Sequence, residues 1–282
     1  MNHLENVSLL YVSCYTYKSL WEPFFKLKNK YMGNTIQSYL CTDLMFDDNL
    51  ESSIFINTKI LNFNQKSNFT INGNLYDRYL YYLNNIETEY ILYFYDDMFL
   101  LESVDMNKLN SFLNIMKNNE LIKIIKLSLD SYPFYNGSMI YINDTAFTKA
   151  DNSFDNYIFN VQPILIRKDF FIEMVNYCKQ NNKYTHQNGG LEAYGTEFFR
   201  INNDYIALRV VNEITKIPGA CGAVMSGIMS PEMKQYLKEK ENIEIQTDDN
   251  NMIFKLTRQE YDFLGDMLKN IYRENNISPI EN

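Results

Sequence analysis

Two adjacent carboxylates, Asp96 and Asp97, follow the apolar run Tyr90-Ile-Leu-Tyr-Phe-Tyr95 and lead at once into Met98-Phe-Leu-Leu101. Like charges held this close between apolar segments are unfavourable without a partner. A divalent cation supplies one. Mg²⁺ or Mn²⁺ takes hard oxygen ligands, often one or two carboxylates plus phosphate oxygens. It would neutralise a departing diphosphate. The competing reading of an Asp-Asp pair is a turn or a helix cap, where Asp is common; the apolar flanks argue against a solvated loop.

Other polar residues gather around this pair once the chain is read for order. Asp77 and Arg78 lie in the first turns of a helical pattern that feeds the Tyr90 run, and both fall off its apolar face. The N-terminus of that helix returns to the sheet edge that carries Asp96 and Asp97. Arg78 is thereby placed to meet a phosphate or to pair with a carboxylate. Ser13, Tyr15, Thr16 and Tyr17 follow the first strand and suit base stacking and ribose hydrogen bonds, although a Tyr-rich chain offers such residues by chance. Farther along, His186-Gln-Asn-Gly-Gly-Leu-Glu192-Ala-Tyr-Gly-Thr-Glu197 holds two carboxylates five positions apart. Glu192 suits the removal of a hydroxyl proton, with Glu197 in reserve; the plain alternative is a solvated helix start. Gln162 suits a sugar hydroxyl. Gly219, Gly222 and Gly227 could admit backbone amides to a diphosphate or form a packed turn. His186 reads as an exposed loop residue.

These residues need a scaffold, and the patterning supplies it. Strand-like runs fall at 7–13, 36–41, 53–61, 90–95, 122–129, 161–166 and 205–211, with 139–142 as part of a hairpin. Helical periodicity appears at 20–27, 75–86, 106–117 and 168–180. Ser19 and Glu22 resemble a capping box for the first helix. The alternation predicts an α/β domain with helices on a mixed, mostly parallel sheet, and in such sheets ligands bind at the C-terminal ends of the strands. After about residue 230 the chain changes character: 231–240 is charged and helical, 241–251 polar, 256–271 helical again. The expected division is a main domain over 1–230 and a C-terminal helical appendage over 231–282.

The chain of 282 residues is 46% hydrophobic, with 23 Tyr and 19 Phe, enough for a sizeable core. Its net charge of −9 lacks the basic footprint of a nucleic-acid binder; an anionic nucleotide would instead need local positive charge or a bridging cation. Cys14, Cys41, Cys178 and Cys221 form no C-x-x-C pair and read as free thiols of a reducing cytosol. The N-terminus has no signal-peptide pattern, and the longest apolar run is far short of the ~20 residues of a membrane helix. The expectation is therefore a cytoplasmic protein whose membrane contact, if any, is peripheral. The sequence contains no G-x-G-x-x-G, no G-x-x-x-x-G-K-[ST] and no G-x-S-x-G, which disfavours Rossmann dehydrogenases, P-loop enzymes and α/β-hydrolases.

Together these segments resemble GT-A-type nucleotide-sugar glycosyltransferases of bacterial surface-polysaccharide clusters and large DNA viruses. The opening Leu9-Leu-Tyr-Val-Ser-Cys-Tyr-Thr-Tyr-Lys-Ser-Leu-Trp21-Glu-Pro-Phe-Phe25 is similar to their first strand, polar turn and helix. Tyr76-Asp77-Arg78, then Thr88-Glu89-Tyr90 through Asp96-Asp97-Met98-Phe99, is similar to their helix, strand and DXD-like motif. Asn160-Val161-Gln162-Pro163-Ile164, Leu191-Glu192-Ala193-Tyr194-Gly195-Thr196 and Gly222-Ala-Val-Met-Ser-Gly227 resemble later segments in the same order. The resemblance covers about residues 7–230. It implies a GT-A-like, Rossmann-like nucleotide-binding fold, a nucleotide-sugar donor, commonly a UDP-sugar, and Mn²⁺ or Mg²⁺. It implies Asp97 as metal ligand, Asp96 as ribose or sugar contact and Glu192 as general base beside a glycan or other hydroxyl acceptor. The DXD is degenerate, with only its second and third positions acidic. Gly189-Gly190-Leu191-Glu192 stands where the family often has Trp-Glu-Phe-Glu, which leaves the acceptor unassigned.

Three other functions remain consistent with the residues. A glycoside hydrolase would use Asp97 and Glu192 as its acid and base and need neither cation nor nucleotide. A non-catalytic module would bind a sugar nucleotide or glycan without turnover. A nucleotidyltransferase would share the carboxylates and metal but calls for a basic, Gly-rich loop near the N-terminus, which this sequence lacks.

Overall fold

The apolar run before the carboxylates forms a strand buried along nearly its whole length, and the sheet is built outward from it. In the computed structural model of the chain, the described residues are 3–43, 50–63, 75–128, 133–181, 187–217, 223–225, 227–247 and 253. The readings made above for 256–271, His186, Gly219, Cys221 and Gly222 lie outside them. Strand β4 (Tyr90–Tyr95) pairs in parallel with β1 (Val7–Val12), which pairs in parallel with β2 (Gln37–Thr42), itself parallel to β3 (Thr58–Asn62). On its other side β4 meets β8 (Ile164–Arg167), which runs antiparallel between β4 and β5 (Ile122–Lys126). Then come β9 (Ile206–Val210), parallel to β5, and the antiparallel hairpin β6 (Ser138–Ile142) and β7 (Thr145–Lys149). The order in the nine-stranded sheet is β3-β2-β1-β4-β8-β5-β9-β7-β6. Strands β7 and β8 run against the rest, so the sheet is mixed and largely parallel, as the alternation of elements predicts.

Helices cover both faces. On one side α1 (Trp21–Tyr31), α3 (Met106–Asn118) and α6 (Pro231–Glu241) bury Trp21, Phe24, Phe112 and Leu237 against Leu9, Tyr11, Leu92 and Phe94. On the other, α2 (Leu75–Asn84), α4 (Lys168–Asn181) and α5 (Gln187–Ile201) bury Tyr79, Phe171 and Leu191 against Leu10, Ile91, Tyr93 and Ile164. Alternate residues of β1 and β4 thus feed different cores, the period-2 rule of a two-faced sheet. Ile243, Ile245 and Ile253 join the first of these cores, so the described part of the C-terminal segment packs onto the sheet domain.

Local chemistry accounts for several boundaries. Asp105 caps α3 by accepting the N–H of Lys108 at 3.0 Å. Ser230 caps α6 through the N–H of Met233, with Pro231 at its first position and left-handed Asn242 (φ 54°) at its end. The β6–β7 turn is Asn143-Asp144, both left-handed (φ 48° and 62°), the pattern a two-residue hairpin needs.

Two expectations require correction. No Ser19–Glu22 capping box forms. Residues Tyr15–Leu20 make a 3₁₀ helix that runs directly into α1, so the first residue of α1 is preceded by Leu20, which makes no side-chain cap. Glu22 instead pairs with Lys26 at 2.5 Å. The third strand begins at Thr58 rather than near residue 53. The apolar residues Ile54 and Phe55 pack from a turn, Phe55 against Phe25 at 4.8 Å, and left-handed Asn57 (φ 51°) starts the strand.

Candidate active site

The sheet order reverses between β1 and β4: from β1 the chain goes outward to β2 and β3, then returns to β4 on the opposite side. The crevice at such a reversal, at the C-terminal strand ends, is where open α/β sheets bind ligands. Ser13, Asp43 and Asp96-Asp97 leave β1, β2 and β4 at that edge. Because β8 is antiparallel, its beginning lies there too, with Ile164 beside Tyr93 of β4 and Lys126 of β5. Gln162 and Pro163 therefore arrive at the edge that carries the aspartates.

Asp96 points inward. It is 3% exposed, and its Oδ2 accepts the Ser13 hydroxyl at 3.2 Å. Ser13 Oγ in turn accepts the Trp21 indole N–H at 2.8 Å. Burial, and then the charge of Asp97, hold the Asp96 carboxyl well above the usual carboxylate range. Such an interior position fits Asp96 for bracing the ends of β1 and β4.

Asp97 is different. Its Oδ1 is buried and has no hydrogen-bond partner among the described residues. Burial pushes its carboxyl up to about 7. Its carbonyl oxygen accepts the N–H of Ala223 at 2.7 Å, so the turn after β4 is tied to the hairpin of β10 (Val224–Met225) and β11 (Ile228–Met229). A buried carboxylate oxygen without a donor is costly as it stands. A hard cation that takes its remaining ligands from phosphate and water would satisfy it, and this donor set fits Mg²⁺ or Mn²⁺. Among the described residues there is no cluster of three or more His, Cys, Asp or Glu side chains.

Asp43 was not legible as a site residue, although it leaves β2 as Asp96 leaves β4. Its Oδ1 accepts the N–H of Tyr15 at 2.9 Å, and its Oδ2 lies 3.3 Å from Arg78 Nη1. Arg78 thus pairs with a carboxylate, one of its two expected roles, and its Nε is buried without a partner among the described residues. Asp77 is placed elsewhere: it pairs with Lys179 of α4 at 2.6 Å on the surface. Tyr15 is 5% exposed, its ring edge-on to Trp21 at 6.1 Å and its hydroxyl bonded by Lys18 at 2.9 Å, so its face is not offered to a base. Thr16 Oγ1 lies 3.0 Å from Cys14 Sγ. Half-buried Tyr17 faces the aspartates more closely: burial first, then Asp96, raises its phenol. A cavity of 350 Å³ opens between Thr16, Lys18, Ser19 and the C-terminal residues Asn242, Ile243 and Gln246; neither the aspartate pair nor Glu192 lines it.

On the far side of β8, Glu192 is half-buried on α5, and its Oε1 accepts the N–H of Val161 at 2.9 Å. Burial raises its carboxyl, opposed by that N–H and by Lys126. Gln162 is 4% exposed and accepts from Asn160 Nδ2 at 2.5 Å. Glu197 is exposed and turned toward Tyr177 of α4, away from Val161. Gly195 explains the glycine between the two glutamates: a Cβ there would stand 2.8 Å from Phe159 Cδ1 and 3.0 Å from Met174 Sδ. The edge therefore gathers Asp43, Arg78, Asp96, Asp97, Gln162 and the Val161–Glu192 contact, and leaves Asp77 and Glu197 outside. Cys14, Cys41 and Cys178 are free thiols, as expected. Among the described residues no helix is long and apolar enough to cross a membrane.

No family model matches the chain, and no curated protein matches it. Among solved structures it is similar to S. aureus TarS 1–349, at 12% identity and a TM-score of 0.44 over 74% of this chain and 59% of that one. The glycosyltransferase GlyE of Streptococcus pneumoniae TIGR4 matches at 10% identity and a TM-score of 0.43, over 70% of this chain and 43% of that one. The 4-diphosphocytidyl-2C-methyl-D-erythritol synthase of Anaerococcus prevotii DSM 20548 matches at 13% identity and a TM-score of 0.39, over 70% of this chain and 84% of that one. The chain thus spans 59% or less of the TarS and GlyE structures.

Proposed function

We propose that the chain is a glycosyltransferase that moves a sugar from a nucleotide-sugar donor, a UDP-sugar by preference, to a hydroxyl of a glycan or other acceptor. The observation that carries this reading is the buried, unpartnered Oδ1 of Asp97 at the switch-point edge, beside the interior Asp96. Asp97 would hold Mn²⁺ or Mg²⁺; the bound cation supplies charge for the diphosphate that leaves. Asp96, braced by Ser13 and Trp21, fixes the turn that presents Asp97. Arg78, held by Asp43, adds local positive charge to an acidic protein. Glu192 takes the proton of the acceptor hydroxyl as its oxygen attacks the anomeric carbon and the bond to phosphate breaks. The raised Glu192 carboxyl suits a base working near neutral pH. A direct displacement of this kind inverts the anomeric centre.

A thermal-shift screen of nucleotides and nucleotide sugars, with Mn²⁺ and with EDTA, on wild type and Asp97→Ala tests the reading. Stabilisation by a nucleoside diphosphate that requires both the cation and Asp97 is the expected result. Well-folded protein that no nucleotide stabilises would sink the donor site and favour the hydrolase or the binding module.

A further inference from the structure

Lys126 ends β5 and is completely buried, 0% exposed, in the layer under α5. No step proposed above uses it. Its Nζ donates to the carbonyl of Tyr157 at 2.6 Å and lies 4.5 Å over the ring of Phe134. Tyr157 is itself in the left-handed region (φ 52°), a conformation that costs a non-glycine residue and persists where its surroundings over-determine it. Three elements present charge to the ammonium. Arg209 lies beside it on β9, Glu192 faces it from α5, and Asp155 faces it from the segment before β8. Asp155 is spent on backbone: its two oxygens accept the N–H groups of Asn136 at 2.7 Å and Asp151 at 2.8 Å.

The segment 155–162 is therefore gripped on opposite sides. Lys126 holds the carbonyl of Tyr157, and Glu192 holds the N–H of Val161. Between them Phe159 packs against Gly195 and exchanges longer contacts of 3.4 Å with Thr196. The segment ends at Gln162, where β8 enters the candidate site.

We infer that Lys126 is a positioning residue: its buried ammonium, acting with the Glu192 carboxylate, fixes the 157–162 segment and so sets where Glu192 and Gln162 stand at the acceptor side of the site. The catalytic consequence rests on the transferase reading; the mechanical one does not. Burial, with Arg209 beside it, pushes the ammonium down to about 7, while Glu192 and Asp155 act the other way. Below that pH the amine is charged and both grips hold. Above it the neutral amine still reaches the carbonyl but no longer attracts Glu192.

The test is amide hydrogen exchange at 158–162 in the full chain between pH 6 and pH 9, corrected for intrinsic rates, together with turnover of UDP-sugars. In wild type the Val161 amide is expected to exchange about tenfold faster above pH 7 while the amides of β1 and β4 stay protected. Lys126→Met should show the fast behaviour at every pH. Glu192→Gln, which keeps an oxygen for Val161, should lower the titration midpoint of the Lys126 side chain read by carbon-13 NMR. The wild-type profile and the Glu192→Gln midpoint decide the matter even if Lys126→Met does not fold. A flat wild-type profile, or a Lys126 midpoint indifferent to Glu192→Gln, would overturn the assignment while leaving any observed UDP-sugar turnover to stand. The expected exchange pattern without turnover of any nucleotide sugar supports Lys126 as the clamp and removes the transferase reading.

Discussion

Ser13 Oγ donates to Asp96 Oδ2 at 3.2 Å and joins the C-terminal ends of β1 and β4 across the crevice between them. The same oxygen accepts from Trp21, so one hydroxyl serves both a buried acid and a buried indole. Ser13→Ala leaves both without that partner. The expected loss is about 1–3 kcal/mol of stability, read as a lower urea midpoint at an unchanged slope.

Asp97 predicts an inverted pH dependence. Its folded carboxyl, near 7, lies above the ordinary value of 3.8, so the fold resists its ionisation. A raised carboxylate costs nothing below pH 4, and its cost grows as pH climbs from there to 7. Asp97→Asn in EDTA should thus be more stable than wild type at pH 8, by about 2–4 kcal/mol, and no different near pH 4. Mn²⁺ with a nucleoside diphosphate should narrow that gap by stabilising wild type alone. Urea denaturation at a series of pH values, with and without the cation, measures both effects.

Glu192→Gln removes the base and the charge facing Lys126 but keeps an acceptor for Val161. The amide oxygen of Gln still accepts the Val161 N–H but cannot take a proton. Transfer should slow by about 10²-fold or more, with nucleotide affinity within a factor of about two. Equal losses in affinity and rate would mean that Glu192 serves the fold and not the reaction. Product analysis from the same assay, nucleoside diphosphate against monophosphate with pyrophosphate, distinguishes a glycosyltransferase from a nucleotidyltransferase.

Gly195→Ala sets propensity against packing. Alanine favours a helix interior by about 1 kcal/mol, yet its methyl would meet the Phe159 ring at 2.8 Å. Phe159 and Met174 are both fully buried, so packing should win and the variant lose about 1–3 kcal/mol net. Thermal unfolding checks the sign.

Much of the scaffold was legible because burial leaves a periodic trace. The unbroken apolar run of β4 marked a central strand, and the Asp pair after it marked that strand's C-terminal end. The run 139–142 was read as part of a hairpin, and it is the first strand of the β6–β7 pair. The rest was hidden for physical reasons. Asp43 is an acid after a short strand, and its partners, the Tyr15 N–H and Arg78, are both distant in sequence. Tyr15 and Tyr17 look alike as residue types; the 3₁₀ turn that buries one ring against Trp21 and faces the other toward the aspartates is not a periodic feature. In Ile122-Lys-Ile-Ile-Lys126 lysine is an uncommon residue to bury, yet strand alternation puts Lys126 on the same face as Ile124, and that was the available sign of its burial.

Ile253 bonds the hairpin and is bonded by the first helical turn: its N–H donates to Gly227 and its carbonyl accepts from Ser19. Read in the order of synthesis, this makes the edge a late assembly. A nascent chain can pair β1 with β4 once residue 97 has emerged, but the Ala223 tether of Asp97 and the Ile253 clasp over Gly227 come more than a hundred residues later. Since domains fold as units, the aspartate turn would close only once residue 253 had left the ribosome.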